Sequence, residues 1–351
     1  MTTITNDVYN LLKQLISTQS FSREEGDATN VMEKFLISKG ERVNRSGNNV
    51  WCFAQERDDS KPTLLFNSHI DTVKPSSKWT KDPFTPTEED GKLFGLGSND
   101  AGGPLVSLLG AYLVLRQETQ PYNLVFAATA EEEVSGANGI ASIVEKLGKI
   151  DLAIIGEPTQ MNMAVAEKGL MVLDCVARGK SGHAARNEGD NAIYKAIKDI
   201  EWFKNHKFEK ISEHLGEVKM SVTMIEAGTQ HNVVPDACKF VVDVRTTEHY
   251  PNKELYEFIQ TQVVSEVTPR SFRINPSSIS IDHPIVKRGI ELGMKPFGSP
   301  TTSDQALVPF TTIKIGPGDS ARSHTADEYI LKDEIINGVE LFVELVKGLV
   351  F

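Results

Sequence analysis

The hydrophobic positions in the amino-terminal part of the chain alternate between helical and extended spacing. In some segments apolar residues recur every three or four positions, as on one face of a helix, and in others they form short runs, as in buried strands. The segments with helical spacing are 7–16, 27–39, 104–115 and 137–147. The short runs are 50–54, 63–67, 123–129 and 152–155. This alternation predicts an α/β domain, a mixed sheet with helices on both faces.

The pattern changes at about Met163. Half-exposed strands are predicted at 170–177, 218–225 and 239–244, and helices at 191–203 and 253–264. A last strand completes the order if 271–275 is counted. Their order suits a small α+β sandwich. After about Ile279 the α/β pattern returns, with a strand at 311–315 and a closing helix at 332–349. We therefore predict an α/β domain formed by residues 1–162 and 279–351 and interrupted by an inserted α+β domain at residues 163–278.

Composition and charge restrict the class of partner. A chain of 351 residues with 40% hydrophobic and 24% charged residues suits a globular protein of more than one domain. Its formal net charge of −11 argues against nucleic acid or an anionic membrane as a partner, because both attract clustered Lys and Arg. No run approaches the roughly 20 apolar residues that cross a bilayer. We expect a small-molecule partner, no nucleic acid and no membrane.

The cysteines and the start of the chain indicate a compartment. The chain begins Met-Thr-Thr-Ile-Thr-Asn-Asp, without a basic start or an apolar run, so we expect no signal peptide. Cys52, Cys175 and Cys238 are odd in number and far apart, which indicates neither a disulfide framework nor a thiolate zinc site. We therefore expect a cytoplasmic protein.

Polar side chains are found at the ends of the predicted strands and in a glycine-rich loop at residues 91–103. These positions are His69, Asp71, Asp100, Glu131, Glu132, Glu133, Glu157 and His324. Taken singly, each has an ordinary explanation, such as a capping residue or a solvated turn. Together they fall where α/β sheets form their binding crevices, which favours a shared site.

The types of side chain indicate a metal. His69 and His324, with Asp100, Glu157 and one of the three adjacent glutamates, form a set of nitrogen and oxygen donors without cysteine. Imidazole and carboxylate ligands suit zinc, with cobalt or manganese as substitutes. The set exceeds the needs of one tetrahedral ion and fits two ions that share a bridging carboxylate. A remaining glutamate would then serve as a general base.

The candidate residues stand in five motifs: Ser68-His69-Ile70-Asp71-Thr72-Val73, Gly95-Leu96-Gly97-Ser98-Asn99-Asp100, Thr129-Ala130-Glu131-Glu132-Glu133, Gly156-Glu157-Pro158 and Gly316-Pro317-Gly318 followed by His324. These motifs resemble those of a known family, the co-catalytic zinc peptidases and deacylases that include acetylornithine deacetylase, succinyl-diaminopimelate desuccinylase, aminoacylase and glutamate carboxypeptidase. They occur in the family's order and extend over nearly the whole chain.

The resemblance implies two zinc ions per chain and a role for each residue. His69, Asp100 and Glu157 would hold one metal. Glu133, Asp100 and His324 would hold the other, so that Asp100 bridges the pair.

Two further roles near the metals follow from the same resemblance. Glu132 would be the general base, and Asp71 would orient His69. The family usually has Asp-Glu-Glu where this chain has Glu131-Glu132-Glu133, which leaves a one-residue shift between base and ligand open.

The resemblance also gives the inserted domain a function, as a lid through which two chains form a homodimer. His183, in Gly179-Lys180-Ser181-Gly182-His183-Ala184, would reach the scissile carbonyl, commonly in the partner's site. Asn232 and Arg245 would contact substrate, with the Arg245 guanidinium suited to a carboxylate.

The resemblance is strongest to acetylornithine deacetylases. It implies a hydrolase that removes an acetyl or succinyl group from a small amino acid of the ornithine or citrulline type, as in arginine biosynthesis. Alternatives on the same scaffold are a dipeptidase or carboxypeptidase and a succinyl-diaminopimelate desuccinylase. A non-catalytic, metal-stabilised binding protein is disfavoured, because it has no need of a base beside the ligands. The sequence leaves the acyl group and the amino-acid side chain open.

Overall fold

The structure of the protein, a computed structural model, describes residues 2–351. Contacts within the chain divide it into two compact units. The first contains the chain up to Val165 together with Ser278–Phe297 and Ser303–Phe351. The second contains Ala166–Ser277 and Gly298–Thr302. The inserted domain at residues 163–278 stays a prediction about domain organisation, and the second unit also takes in the short segment Gly298–Thr302.

The elements follow one another along the chain with these bounds. The helices are α1 Thr2–Ile16, α2 Gly26–Ser38, α3 Gly103–Leu115, α4 Val144–Leu147, α5 Ala192–Asn205, α6 Asn252–Gln262, α7 Pro284–Glu291 and α8 Lys332–Val346. The strands are β1 Asn44–Ser46, β2 Asn49–Phe53, β3 Thr63–His69, β4 Thr87–Glu89, β5 Lys92–Phe94, β6 Asn123–Thr129, β7 Leu152–Ile155, β8 Met163–Glu167, β9 Gly169–Arg178, β10 Gly182–His183, β11 Lys219–Ala227, β12 Val233–Val234, β13 Ala237–Thr246, β14 Glu266–Pro269, β15 Ser277–Ser278, β16 Pro296–Ser299, β17 Thr312–Lys314 and β18 Tyr329–Leu331.

The largest sheet has nine strands in the order β1-β2-β6-β3-β7-β17-β8-β15, with β16 also paired to β8. Its centre is parallel, because β6, β3, β7 and β17 run in one direction. On either side of them β2 and β8 run antiparallel. All seven residues of β3 are buried, as expected for a central strand of a sheet covered on both faces. The predicted mixed α/β sheet is confirmed.

The two faces of this sheet are covered differently. Leu64 and Phe66 of β3 belong to the main hydrophobic core, which includes residues of α1, α3 and α8. Leu65 points to the opposite face and belongs to a smaller core with Ile140 and Leu147. Long helices therefore cover one face and short helical turns cover the other.

The long helix predicted at residues 137–147 is wrong. The structure has only a 3₁₀ turn, Ile140–Ser142, and the four-residue α4. Asn138 and Gly139 have low helix propensity within the first turn of a helix that begins at residue 137, and the Asn138 side chain is bonded to the Glu131 carboxylate instead. A Cβ at Gly139 would lie 2.2 Å from the Ala130 carbonyl oxygen, so the chain passes too close for an ordinary helix turn.

The second unit contains a four-stranded antiparallel sheet in the order β11-β13-β9-β14, together with α5 and α6. Alternate residues of β9 and β13 are buried, which is the pattern of strands with one face on a core. The strand predicted at 271–275 is wrong, since β14 lies earlier, at Glu266–Pro269. Val267 is its one buried residue, which makes the signal too short to read from the sequence.

Among the described residues, no helix is long and apolar enough to cross a membrane.

Candidate metal centre

The parallel strands of the large sheet bring candidate ligands to one edge. His69 is the last residue of β3. Glu132 and Glu133 follow β6 in a single 3₁₀ turn, Glu132–Val134, and Glu157 follows β7. Because β3, β6 and β7 are parallel, their carboxyl ends lie side by side. This is the edge at which open α/β sheets form their sites.

Asp100 lies between two imidazole rings. Its Oδ1 is 3.3 Å from His69 Nε2, and its Oδ2 is 3.6 Å from His324 Nε2. The same His324 nitrogen is 2.9 Å from Glu133 Oε2. Each carboxylate oxygen of Asp100 thus faces a different histidine, which is the arrangement that a carboxylate bridging two metal ions requires.

The carboxylates of Glu132 and Glu157 approach His69 Nε2 without forming hydrogen bonds to it. His69 Nε2 lies 3.8 Å from Glu157 Oε1 and 3.9 Å from Glu132 Oε2. His69 Nε2 and Glu157 Oε1 are both buried, and neither has a hydrogen-bond partner within the part of the chain that is described. Buried polar atoms are normally satisfied, so two that point at one place indicate a missing partner.

Two overlapping groups of donor atoms are close enough to hold an ion. One comprises His69, Glu132 and Glu157, and the other His69, Asp100 and Glu133, with the donor atoms of each group within 4.8 Å of one another. Imidazole nitrogen and carboxylate oxygen are ligands that suit zinc, cobalt or manganese. The residues present therefore fit a metal of this class.

The carboxyl groups of the cluster repel one another. Burial, followed by repulsion from Glu157, raises the pKa of Glu132 well above its ordinary value. Burial also raises the pKa of Glu157 to about 8, with a further contribution from Asp100 that the nearby His69 opposes. Carboxylates that crowd a buried site cannot all ionise unless cations compensate them. A pair of divalent ions would provide that compensation.

The pKa values of the two histidines are raised as well, which for an imidazole favours the charged form. Burial disfavours a charged His69, but the neighbouring carboxylates of Asp100 and Asp71 outweigh it and raise the pKa of His69 well above the ordinary value. The hydrogen bond to Glu133 raises the pKa of His324 to about 9, against the effect of partial burial. Both imidazoles therefore lie in a strongly anionic field, the field that attracts a metal cation.

Asp71 holds the turn that carries the two glutamates. Its carboxylate accepts the backbone N–H groups of Glu132 at 3.0 Å and Glu133 at 3.2 Å. The Ser22 hydroxyl donates to the same carboxylate at 2.8 Å. His69 Nδ1 lies 3.0 Å from the Asp71 carbonyl oxygen and 3.5 Å from its carboxylate. The Asp71 side chain is thus bonded to the glutamate turn, and the contact closest to His69 is made by its backbone.

Glu328 holds the loop that carries Asp100, and it is not among the site residues predicted from the sequence. Its buried carboxylate accepts the backbone N–H groups of Gly97 at 3.1 Å, Asn99 at 2.8 Å and Asp100 at 2.9 Å. A glycine-rich loop leaves N–H groups that need an acceptor. That requirement was visible in the sequence, but nothing in it points to an acceptor more than two hundred positions away.

Three predicted site residues belong to the second unit. His183 is exposed in β10, which pairs with β12, and its Nδ1 accepts the N–H of Ala185 at 3.1 Å. The Asn232 carbonyl oxygen accepts the N–H of Ala184 at 3.0 Å. Arg245 forms a two-pronged ion pair with Asp243, at 2.9 Å and 3.2 Å. A substrate carboxylate would have to share or displace Asp243 to bind the guanidinium of Arg245.

Known proteins are similar to this chain over most of its length. The chain is 26% identical over 325 residues to a succinyl-diaminopimelate desuccinylase of Cereibacter sphaeroides, with 84% of each chain covered. It is 28% identical over 327 residues to an acetylornithine deacetylase of Myxococcus xanthus, covering 87% of this chain and 83% of the relative. A Bacillus subtilis structure, described as a dinuclear metal-binding peptidase of the M20 family, aligns with a TM-score of 0.71 at 17% identity, over 99% of this chain and 98% of that one.

The family model for peptidase family M20/M25/M40 matches residues 65–348, which include every candidate metal ligand from His69 to His324. Members of this family are metal-dependent hydrolases, and the solved neighbour shares the fold of this chain. On the match of its sequence and the agreement of its fold, this chain belongs to peptidase family M20/M25/M40.

Proposed function

We propose that the protein is a two-metal amide hydrolase that removes an N-acyl group, acetyl or succinyl, from a small amino acid of the ornithine or citrulline type. The observation that carries the hydrolytic part is Asp100, placed between His69 and His324 with one oxygen facing each ring. The substrate class is supported by the relatives named acetylornithine deacetylase and succinyl-diaminopimelate desuccinylase. Arginine biosynthesis and a cytoplasmic location stay predictions from the sequence.

The proposed ligand sets share Asp100. His69, Asp100 and Glu157 would hold one ion, while Glu133 and His324 would complete the other with the same Asp100. We propose zinc, with cobalt or manganese able to replace it. When bound, two metals of this class polarise a carbonyl group and activate water.

Glu132 is the proposed general base. Its Oε2 atom lies 3.9 Å from His69 Nε2, while the neighbouring Glu133 contacts His324. A glutamate in this place would take a proton from the attacking water and return it to the leaving amine.

Paired substitutions test the two roles. Glu132→Gln should lower kcat by roughly 100-fold or more, the usual effect of losing a positioned base, while metal content stays intact. Glu133→Gln, the matched control one residue away, should lose metal as measured by atomic emission after dialysis. Exchanged results would mean that base and ligand are shifted by one residue.

A peptidase is the second candidate, because the solved neighbour is described as a peptidase. A succinyl-diaminopimelate desuccinylase is the third, on the name of one relative. Turnover of acetyl- and succinyl-ornithine, acetyl- and succinyl-citrulline, succinyl-diaminopimelate and a dipeptide, compared side by side, separates these candidates. Preference for the dipeptide would refute the deacylase proposal and leave the metal centre unaffected.

We also propose a homodimer formed by the second unit. Its four-stranded sheet ends at β11, and an edge strand offers N–H and C=O groups to a second chain. Met224 and Ile225 of β11 are exposed, as are Tyr194 and Ile197, one turn apart on α5. Large exposed apolar side chains on and beside an edge strand are typical of an association surface.

The proposed role of His183 depends on this dimer. His183 would donate a hydrogen bond to the oxyanion in the partner subunit's site, an interaction commonly worth on the order of 3 kcal/mol of barrier. Mixing His69→Ala with His183→Ala, each nearly inactive alone, should restore one composite site and part of the activity. Absence of rescue after demonstrated subunit exchange would assign His183 to its own subunit's site or to none.

A further inference from the structure

Asp304 is a buried carboxylate that the roles described so far do not use. It begins the 3₁₀ turn Asp304–Leu307 and is 1% exposed. Its Oδ2 accepts hydrogen bonds from Asn67 Nδ2 and Thr129 Oγ1, both at 3.0 Å. Thr129 Oγ1 also lies 3.1 Å from Asn67 Oδ1, so the three side chains form one closed buried network.

This network lies directly behind the ligand-bearing strand ends. Asn67 is two residues before His69 on β3, so both side chains point to the same face of the sheet. Thr129 ends β6, pairs in register with His69, and comes three residues before Glu132. Asp304 therefore joins the two neighbouring strands at the point where one ends in a ligand and the other enters the glutamate turn.

A purely structural role explains this carboxylate poorly. Its Oδ1 is buried and has no hydrogen-bond partner within residues 2–351, which is costly for a charged group. The next residue of β3 on the face of Asn67, Leu65, is buried and apolar, as is usual in such a sheet. A polar group kept at such a place is more readily explained by what it holds in position than by its own contribution to stability.

We infer that Asp304 is a positioning residue, which fixes His69 and the glutamate turn through its hydrogen bonds to Asn67 and Thr129. Residues behind metal ligands commonly set the orientation of those ligands, and their loss weakens metal binding by about 10- to 100-fold. The inference rests on the proposed metal centre. It adds to that centre a residue outside the ligand set.

Two substitutions of Asp304 separate hydrogen bonding from charge. An asparagine can keep one oxygen toward Asn67 and Thr129, whereas an alanine keeps no acceptor. Asp304→Ala should therefore raise the Kd for Zn²⁺, measured by titration of the metal-free enzyme, by about 10- to 100-fold. Asp304→Asn should bind Zn²⁺ much as the parent protein does. Thr129→Val, which removes one donor, should fall between them.

A control substitution at the opposite end of the same strands tests whether a general loss of stability is enough to weaken Zn²⁺ binding. Asn123 begins β6, pairs with Thr63 at the start of β3, and bonds to Asp58 N at 2.8 Å and Asp58 O at 2.9 Å. Asn123→Ala should lower the unfolding midpoint without changing the Kd for Zn²⁺. The visible absorption spectrum of the Co²⁺-loaded protein, which reports ligand geometry, should change in Asp304→Ala and stay unchanged in Asn123→Ala.

Three results would overturn the inference. They are a Kd for Zn²⁺ that is unchanged in Asp304→Ala, equal losses in Asp304→Asn and Asp304→Ala, and an equal loss in Asn123→Ala. The second would assign the effect to charge, and the third to general stability. If the parent protein itself binds no Zn²⁺, the proposed metal centre fails instead, and the two failures are distinguishable.

Discussion

Replacing Glu328 with glutamine tests how the loop that carries Asp100 is held. Glu328 Oε1 accepts the N–H groups of Asn99 and Asp100, and Oε2 accepts that of Gly97. A glutamine can keep its oxygen toward the N–H groups of Asn99 and Asp100. Its NH₂ group then faces the N–H of Gly97, so that two hydrogen-bond donors point at each other. We therefore expect Glu328→Gln to loosen the loop while the chain still folds.

The magnitude follows from these three bonds. One buried donor left unsatisfied at Gly97 costs about 1–3 kcal/mol. Two bonds to a charged acceptor become bonds to a neutral one, at about 1 kcal/mol each. The sum is about 3–5 kcal/mol, using the same values. In the metal-free protein part of this is offset, because burial and then repulsion from Asp100 raise the pKa of Glu328 to about 8, and a neutral side chain relieves that repulsion.

Because of this offset, the effect should be larger in the metal-loaded protein than in the metal-free form. Glu328→Gln should raise the Kd for Zn²⁺ by about 10- to 100-fold, with a smaller change in the unfolding free energy of the metal-free form. Titration against a competing chelator and denaturant unfolding of both forms measure the two quantities. The matched control is Asp327→Asn, because Asp327 also accepts three hydrogen bonds, from Thr80 N, Thr80 Oγ1 and Lys81 N. Unchanged Zn²⁺ binding in Glu328→Gln, or an equal loss in Asp327→Asn, would refute the reasoning.

Two further predictions concern the same centre. Asp71→Asn turns an amide toward the N–H of Glu132 or Glu133 and should lower kcat by about 10- to 100-fold. Ser22→Ala removes only the hydroxyl bonded to Asp71 and should lower kcat less. Steady-state kinetics of the two variants measures the difference. Dialysis against a chelator should abolish hydrolysis, and added Zn²⁺ or Co²⁺ should restore it. Anomalous scattering from the loaded protein should show two neighbouring ions. One isolated ion in the fully loaded protein would contradict the two-metal proposal.

Most of the large sheet could be predicted from the sequence because its strands are buried on both faces. The run at 123–129 coincides with β6, and the run at 63–67 lies within β3, which continues to His69. Apolar runs followed at once by polar groups locate strand ends, and parallel strands bring those ends together. The clustering of His69, Glu132, Glu133 and Glu157 follows from this local information.

The remaining features depend on contacts that local patterns do not encode. The segment at 137–147 has apolar residues at helical spacing, yet Asn138 bonds to Glu131 and Gly139 passes close to Ala130. The sequence around Asp304 is that of an ordinary helix start, because Ser303 caps the short helix that Asp304 begins. Its burial against Asn67 arises from a contact that spans 237 positions along the chain.

Three buried carboxylates outside the proposed ligand set each hold a different ligand-bearing segment. Asp71 bonds to the glutamate turn, Glu328 to the loop before Asp100, and Asp304 to the ends of β3 and β6. The ligand carboxylates repel one another, so without such restraint they would move apart in the metal-free protein. Restraint keeps the ligands close at a cost to the stability of the metal-free form, and metal binding relieves the repulsion. Weakening any one restraint should therefore reduce metal affinity more than it reduces the stability of the metal-free fold.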